Sequence, residues 1–184
     1  MIIEQSEKQF EDARLVGANV RLENVRLASC SCHAGHPDQR GENDSTRIRT
    51  GPGTASRSGS QITLPVIFEI MIGAPEPEKE TDEAMLLISC VFEAGYAVRP
   101  GFDPTDEQLH AFHSANGIFN CWPFFREFVH SMAVRMGHPP APVPLLRLDV
   151  KRTQPEQARL SKGHTRRAVN TAKSKRPAKQ SGSQ

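Results

Sequence analysis

Three groups of residues in this chain have the side-chain types that chemistry requires. The run Cys30-Ser31-Cys32-His33-Ala34-Gly35-His36 brings thiols and imidazoles together. Both are zinc ligands, but C-x-C-H-x-x-H is not the spacing of a structural zinc site. In a strand Cys30 and Cys32 share a face, and the chain then enters a loop, so they read as free thiols. Cys121 and His130 supply a nucleophile and a base. Nine residues along a helix span roughly 13 Å and put the two on opposed faces, too far apart for proton transfer. Arg126-Glu127 reads as a solvated or interfacial ion pair rather than a catalytic one. No Gly-rich phosphate loop, paired catalytic acids or Ser/His/Asp arrangement stands out. The sequence reads as a non-enzyme with no catalytic residues, no metal and no cofactor.

The remaining candidates are apolar. Trp122, Phe125, Val129, Met132 and Met136 recur at helical spacing, and Phe124 and Phe128 form a second stripe beside them. One stripe is enough to hold a helix on a small sheet. The second is surplus, as an interface or groove wall requires, and Met and aromatic side chains suit a surface that must repack around different partners.

These residues need a scaffold, and the pattern supplies one. Ile62, Leu64, Val66, Phe68, Ile70 and Ile72 alternate with other positions, the period of a half-buried strand. Pro65 lacks an N–H and belongs at an edge or bulge. Gly73–Glu83 reads as an acidic turn. Met85–Val98 reads as a second strand, bent or divided at Gly95. Upstream, Val16, Ala18, Val20 and Leu22 share one parity, whereas Val25 and Leu27 take the other. Such a switch signals a β-bulge in a long strand from about Val16 to Cys32. A short helix is expected over Glu4–Arg14. Asp103-Pro104 is a helix start, and the helix is expected to run to about Ala115. Asn116-Gly117 is expected to break it before a second helix ending near Met136. Strands followed by helices predict an α+β fold: an antiparallel, Greek-key-like sheet of about four strands with a long C-terminal helix packed on one face.

The chain has 184 residues and a net charge of +2. That balance hides a division. Residues 151–184 hold ten Lys/Arg and one acid, whereas the remainder holds 13 Lys/Arg against 20 Asp/Glu. The tail reads as a disordered basic arm outside a domain of residues 1–150, and contact with nucleic acid through it is an alternative function. Residues 34–60 contain one large aliphatic, Ile48, and 14 of the 27 are Gly, Ser, Thr or Pro. Composition predicts a flexible insertion loop there. No apolar run is long enough for a membrane helix, and Met1–Gln5 lacks the features of a signal peptide. The expected location is cytoplasmic, without membrane insertion.

The segment Asn120-Cys121-Trp122-Pro123-Phe124-Phe125-Arg126-Glu127 resembles the SecB protein-export chaperone family. That family carries an Asn, then an aromatic-Pro-aromatic-x-Arg-Glu run, at the start of its long helix. Ser131-Met132 fall at the matching distance, and Gly137–Leu148 is similar to the Pro/Leu-rich stretch that follows. The resemblance covers roughly Val16–Leu148. The family's usual Pro-Val-Asn-Phe ending and last helix are missing, and the basic tail stands in their place. The resemblance implies an ATP-independent holdase assembled as a dimer of dimers. It would bind unfolded or preprotein chains in apolar grooves and pass them to the SecA motor for export. A SecB-like chaperone dedicated to the antitoxin of a toxin–antitoxin system is the alternative within the same class. Trp122, Phe124, Phe125, Phe128, Val129, Met132 and Met136 are the candidate client-binding or interface residues.

Overall fold

A computed structural model describes residues 1–35, 45–73 and 85–151, all within one compact unit, Met1–Thr153. The basic tail beyond Lys151 and most of the acidic 73–83 turn lie outside the described residues. The elements, in chain order, are β1 (Ile2–Ser6), α1 (Glu7–Gly17), β2 (Val20–Ala34), β3 (Thr46–Pro52), β4 (Ser56–Ser58), β5 (Gln61–Ile72), β6 (Leu86–Val98), α2 (Asp106–Phe112), α3 (Ile118–Arg135) and β7 (Arg147–Lys151). One π-helical turn, His113–Gly117, joins α2 to α3, so the helical run is unbroken over 30 residues.

The main sheet is antiparallel, in the order β2-β6-β5-β3, with β4 also on β5. Strands β3, β5 and β6 lie side by side in chain order, and β2, which precedes them, pairs with the last of them, which is Greek-key order. The alternation in β5 and β6 does what period 2 demands. Ile62, Leu64, Val66, Phe68 and Ile70, with Leu86, Ile88, Cys90, Phe92, Ala94 and Tyr96, are buried on one face, and the long helix covers it. Phe68 stacks on Phe125 with ring centroids 4.5 Å apart and meets Trp122 at 5.9 Å. Leu109, Phe112, Ile118, Cys121 and Val129 complete the helix side of the core.

Several expectations need correction. Of the 34–60 segment, residues 36–44 lie outside the described residues, and the remainder contains β3 and β4. Backbone pairing with β5, from Thr46↔Ile72 to Pro52↔Val66, orders β3 without much apolar burial. The leading helix lies at Glu7–Gly17, where Ser6 and Gln9 form a capping box, and Val16 is buried in it rather than starting a strand. The second helix start is capped by Thr105 with Gln108, two residues beyond Asp103. Asn116-Gly117 does not break the helix. A π turn absorbs the extra residue, and its His113 Nε2–H donates to the Pro65 carbonyl at 2.7 Å. Pro65 lies just past the last pair of β3 with β5, where its carbonyl accepts from Gly53 N–H at 2.7 Å and its own missing N–H is tolerated at the end of that ladder. Gly95 does not divide β6. A Cβ there would lie 2.9 Å from the Asn24 side-chain oxygen, so glycine makes room for a bulge in the neighbouring strand. A small parallel pair, β1 with β7, was not expected. Arg147 N–H donates to the Met1 carbonyl, and Lys151 pairs with Glu4.

Candidate functional site

One apolar surface that stays open lies along β2. This 15-residue strand forms one edge of the sheet, and two bulges interrupt its pairing with β6, at Glu23 and at Ala28. Each bulge inserts one residue, and a one-residue shift would turn every later side chain to the other face. The sequence changes apolar parity at the same two places. Val20 and Leu22, then Val25 and Leu27, then Cys30, Cys32 and Ala34 therefore all stand opposite inward-facing residues of β6. The pairs run from Val20↔Val98 through Leu27↔Phe92 to Ala34↔Leu86. The parity switch at Leu22/Val25 was readable as a bulge, and the second bulge was not.

The long helix covers β5 and β6 but leaves much of this stripe bare. Leu22 and Leu27 are 41% and 40% exposed, and Cys30 is exposed. The near wall is the edge of α3. Phe128 is half-buried and meets Phe92 edge-on at 6.0 Å. Phe124, one turn earlier on the same edge, is 46% exposed. Met132 and Met136 continue half-buried towards the helix end. An apolar trough bounded by an edge strand and a helix rim is the result. Among the described residues no strand pairs with the outer edge of β2, whose backbone donors and acceptors are a template for an extended chain.

The predicted site residues therefore separate. Trp122, Phe125 and Val129 are buried in the core, on the stripe that holds the helix to the sheet. Phe124, Phe128, Met132 and Met136 are on or beside the open rim. Leu22, Val25 and Leu27 are the residues that the helix-centred reading missed. Their signal was the alternation itself, once both bulges are placed.

The remaining motif residues hold the rim in place. Asn120 Nδ2 donates to the Tyr96 hydroxyl at 2.8 Å, joining the start of α3 to β6. Burial raises the Tyr96 phenol to about 12, against a smaller opposing effect of that bond. Trp122 Nε1 donates to the Pro144 carbonyl at 3.1 Å, and Arg126 Nε to that of Val143 at 3.2 Å. The two side chains pin the proline-rich strap to the helix. Arg126 thus turns to the backbone instead of to Glu127, as expected for adjacent residues, which do not face each other on a helix. Cys121 is fully buried, and that burial pushes its thiol up to about 12. It is not brought near His130. Among the described residues no group of three His, Cys, Asp or Glu side chains is placed to hold a metal ion. None of their helices is long and apolar enough to cross a membrane.

The antiparallel sheet with its covering helix is a fold that this chain shares with a SecB-like chaperone. The Mycobacterium tuberculosis SecB-like chaperone Rv1957, solved in complex with a ChAD peptide from the Rv1956 HigA1 antitoxin, superposes with a TM-score of 0.63. It is 19% identical, and the match covers 76% of this chain and 99% of that one. A Streptococcus agalactiae protein of unknown function matches at a TM-score of 0.39 and 7% identity, over 68% of this chain and 97% of the other. No protein-family model matches the chain, and no curated protein does.

Proposed function

We propose that the protein is an ATP-independent holdase that keeps extended apolar segments of unfolded chains in the trough between β2 and the α3 rim. The observation that carries this reading is the continuous apolar stripe of β2. Two bulges keep it on one face, yet the helix leaves it partly uncovered. A stripe whose only task was core packing would be covered. Holding is passive: burial contributes about 25 cal/mol per Å² of apolar area, offset by the ordering of the client, so each contact is weak and reversible. No covalent chemistry, metal or cofactor takes part.

The preferred client is an antitoxin-type segment, a reading supported by the shared fold with a chaperone solved with an antitoxin peptide. Delivery of preproteins to a SecA-type motor for export is the second use of the same trough. We infer a cytoplasmic homo-oligomer, a dimer or a dimer of dimers, because Phe119 and Val134 leave further apolar surface on the outer side of α3. Light scattering at micromolar concentration tests the assembly, and a strictly monomeric mass would refute it. The full chain should suppress aggregation of a denatured model protein without nucleotide. Replacing Leu22 and Leu27 together by Ser should abolish most of that activity in a protein that still melts cooperatively. Undiminished suppression by the double variant would place the client elsewhere.

A further inference from the structure

Three cysteines stand together on the inward face of β2 and β6. Cys30 lies directly opposite Cys90, and Cys32, opposite Ile88, is two residues along on the same face. The backbone fixes which kind of pair Cys30 and Cys90 form. Gly35 N–H donates to the Met85 carbonyl at 2.9 Å, so Gly35 and Met85 are a hydrogen-bonded pair. The register then runs unbroken from Ala34↔Leu86 to Ser29↔Val91. Bonded and non-bonded pairs alternate, which makes Cys30–Cys90 a non-bonded pair. The other side of β6 agrees. Val98 N–H donates to the Ser60 carbonyl, so Cys90, on the same parity as Val98, turns its backbone groups towards β5 and away from β2.

Directly opposed residues in a non-bonded pair have Cα atoms about 4.5 Å apart with side chains converging. That is inside the range a disulfide spans, about 4.4–6.8 Å between Cα atoms. Exposure differs across the pair. The Cys30 side of the strand is open to solvent, and Cys90 is buried beneath it. Burial, followed by the charges of Cys30 and Cys32, pushes the Cys90 thiol up to about 12. Cys32 is raised by burial and then by Cys30. The mutual influence of the three groups matches their shared face.

We propose that Cys30 and Cys90 are a redox site, oxidised by peroxide to a reversible intrachain disulfide that ties the edge strand β2 to β6 under the open stripe. The Cys30 thiolate attacks one oxygen of hydrogen peroxide. An S–O bond forms, the O–O bond breaks, and the departing hydroxide takes a proton to become water. The Cys90 sulfur then attacks the Cys30 sulfenic sulfur. The S–S bond forms as the S–O bond breaks, and the Cys90 proton leaves with the hydroxyl as a second water. The two sulfurs together lose two electrons, and the peroxide gains them. Because Cys90 resists deprotonation, this second step is the slow one. The Cys30 end of the bond faces solvent, where an external thiol can attack and reopen it.

The test uses the full chain, fully reduced, desalted and then treated with graded hydrogen peroxide. Intact mass and non-reducing peptide mapping read the product, and the result does not depend on whether the trough holds clients. The expected result is the loss of two hydrogens per chain, a linked Cys30–Cys90 peptide, and full reversal by dithiothreitol. Cys30→Ser should remove the linked peptide while melting like the parent, since Cys30 is exposed, and Cys121→Ser should retain it. Free Cys90 beside a Cys30 oxidised to sulfinic acid would overturn the proposal. So would a Cys30–Cys32 bridge, a bridge between chains, or no reaction.

Discussion

Leu27 and Phe92 stand directly opposite each other across β2 and β6, yet Phe92 is 5% exposed and Leu27 40%. They share a face and differ in what lies above them. Phe128 sits over Phe92, whereas Leu27 is one strand further out, past the helix rim. Single Leu27→Ser should therefore cost little stability, about 1 kcal/mol or less, because partly exposed positions tolerate change. Client affinity should fall by roughly tenfold if a bound segment completes the burial of Leu27, since full burial of a leucine is worth about 1.5–3 kcal/mol. Binding of a fluorescently labelled apolar peptide, measured beside a thermal melt, separates the two effects. A large drop in Tm with unchanged peptide affinity would show that Leu27 serves only the fold.

Trp122 and Phe128 occupy different sides of α3 and should respond differently to truncation. Trp122 is 4% exposed, packs on Phe68 and Phe125, and donates to the Pro144 carbonyl. Trp122→Ala removes all of these contacts and should cost about 3–5 kcal/mol, enough to unfold a marginal domain. Half-buried Phe128 loses less, about 1–2 kcal/mol for Phe128→Ala by the same reasoning. The Phe128 variant should stay folded but hold clients or partner subunits less well. Denaturant titration ranks the two, and equal midpoints would mean that both stripes are core.

The strands of the central sheet were legible because their stability comes from side chains in a regular period. Ile62–Ile72 and Leu86–Val98 announce themselves by alternation. β3 and β4 do not. Residues Thr46–Pro52 have Ile48 as their one large aliphatic, and backbone pairing with β5 orders them, aided by the Arg49–Glu69 ion pair at 3.5 Å. Composition is blind to that source of order. The candidate trough was half legible for a related reason. The rim residues Phe124 and Phe128 lie on one helix and show as a stripe. The β2 floor keeps one face only after two register shifts, and the second, at Ala28, leaves no parity signal as plain as that between Leu22 and Val25. The helix junction failed differently. Asn116-Gly117 looks like a stop, but a π turn accommodates it with φ in the ordinary helical range.

His113 makes stability depend on pH. It is 2% exposed, and burial lowers its pKa from the usual histidine value, opposed by its bond to the Pro65 carbonyl and reinforced by His110. A folded-state pKa below that of the unfolded chain means that the neutral ring is the one the fold accepts. Stability from this group is complete above about pH 6.5, the ordinary unfolded value, and is lost as pH falls from there through the folded pKa. Melting temperature should thus decline between pH 7 and pH 5. His113→Gln keeps a donor for Pro65 and cannot titrate, so it should flatten that decline. An identical slope in the variant would assign the acid sensitivity to other groups.

Gly117 offers a test of the π turn in which two effects have opposite signs. Gly117 has an ordinary helical backbone, φ −58° and ψ −51°. In a plain helix, Gly→Ala there would stabilise by about 1 kcal/mol, because alanine loses less backbone entropy. The π turn changes the outcome. A Cβ on Gly117 would lie 2.8 Å from Cδ2 of His113, closer than real contacts allow. The ring cannot swing aside freely, since its Nε2 is held 2.7 Å from the Pro65 carbonyl. Relieving the clash must stretch that bond or shift the turn, and overpacking of this kind costs about 1–3 kcal/mol. Gly117→Ala should therefore destabilise the protein. In a His113→Ala background, with the obstructing ring gone, the same substitution should become neutral or stabilising. A double-mutant cycle by urea denaturation measures the coupling directly. Additive effects would mean that the close approach of ring and glycine does not govern the junction between α2 and α3.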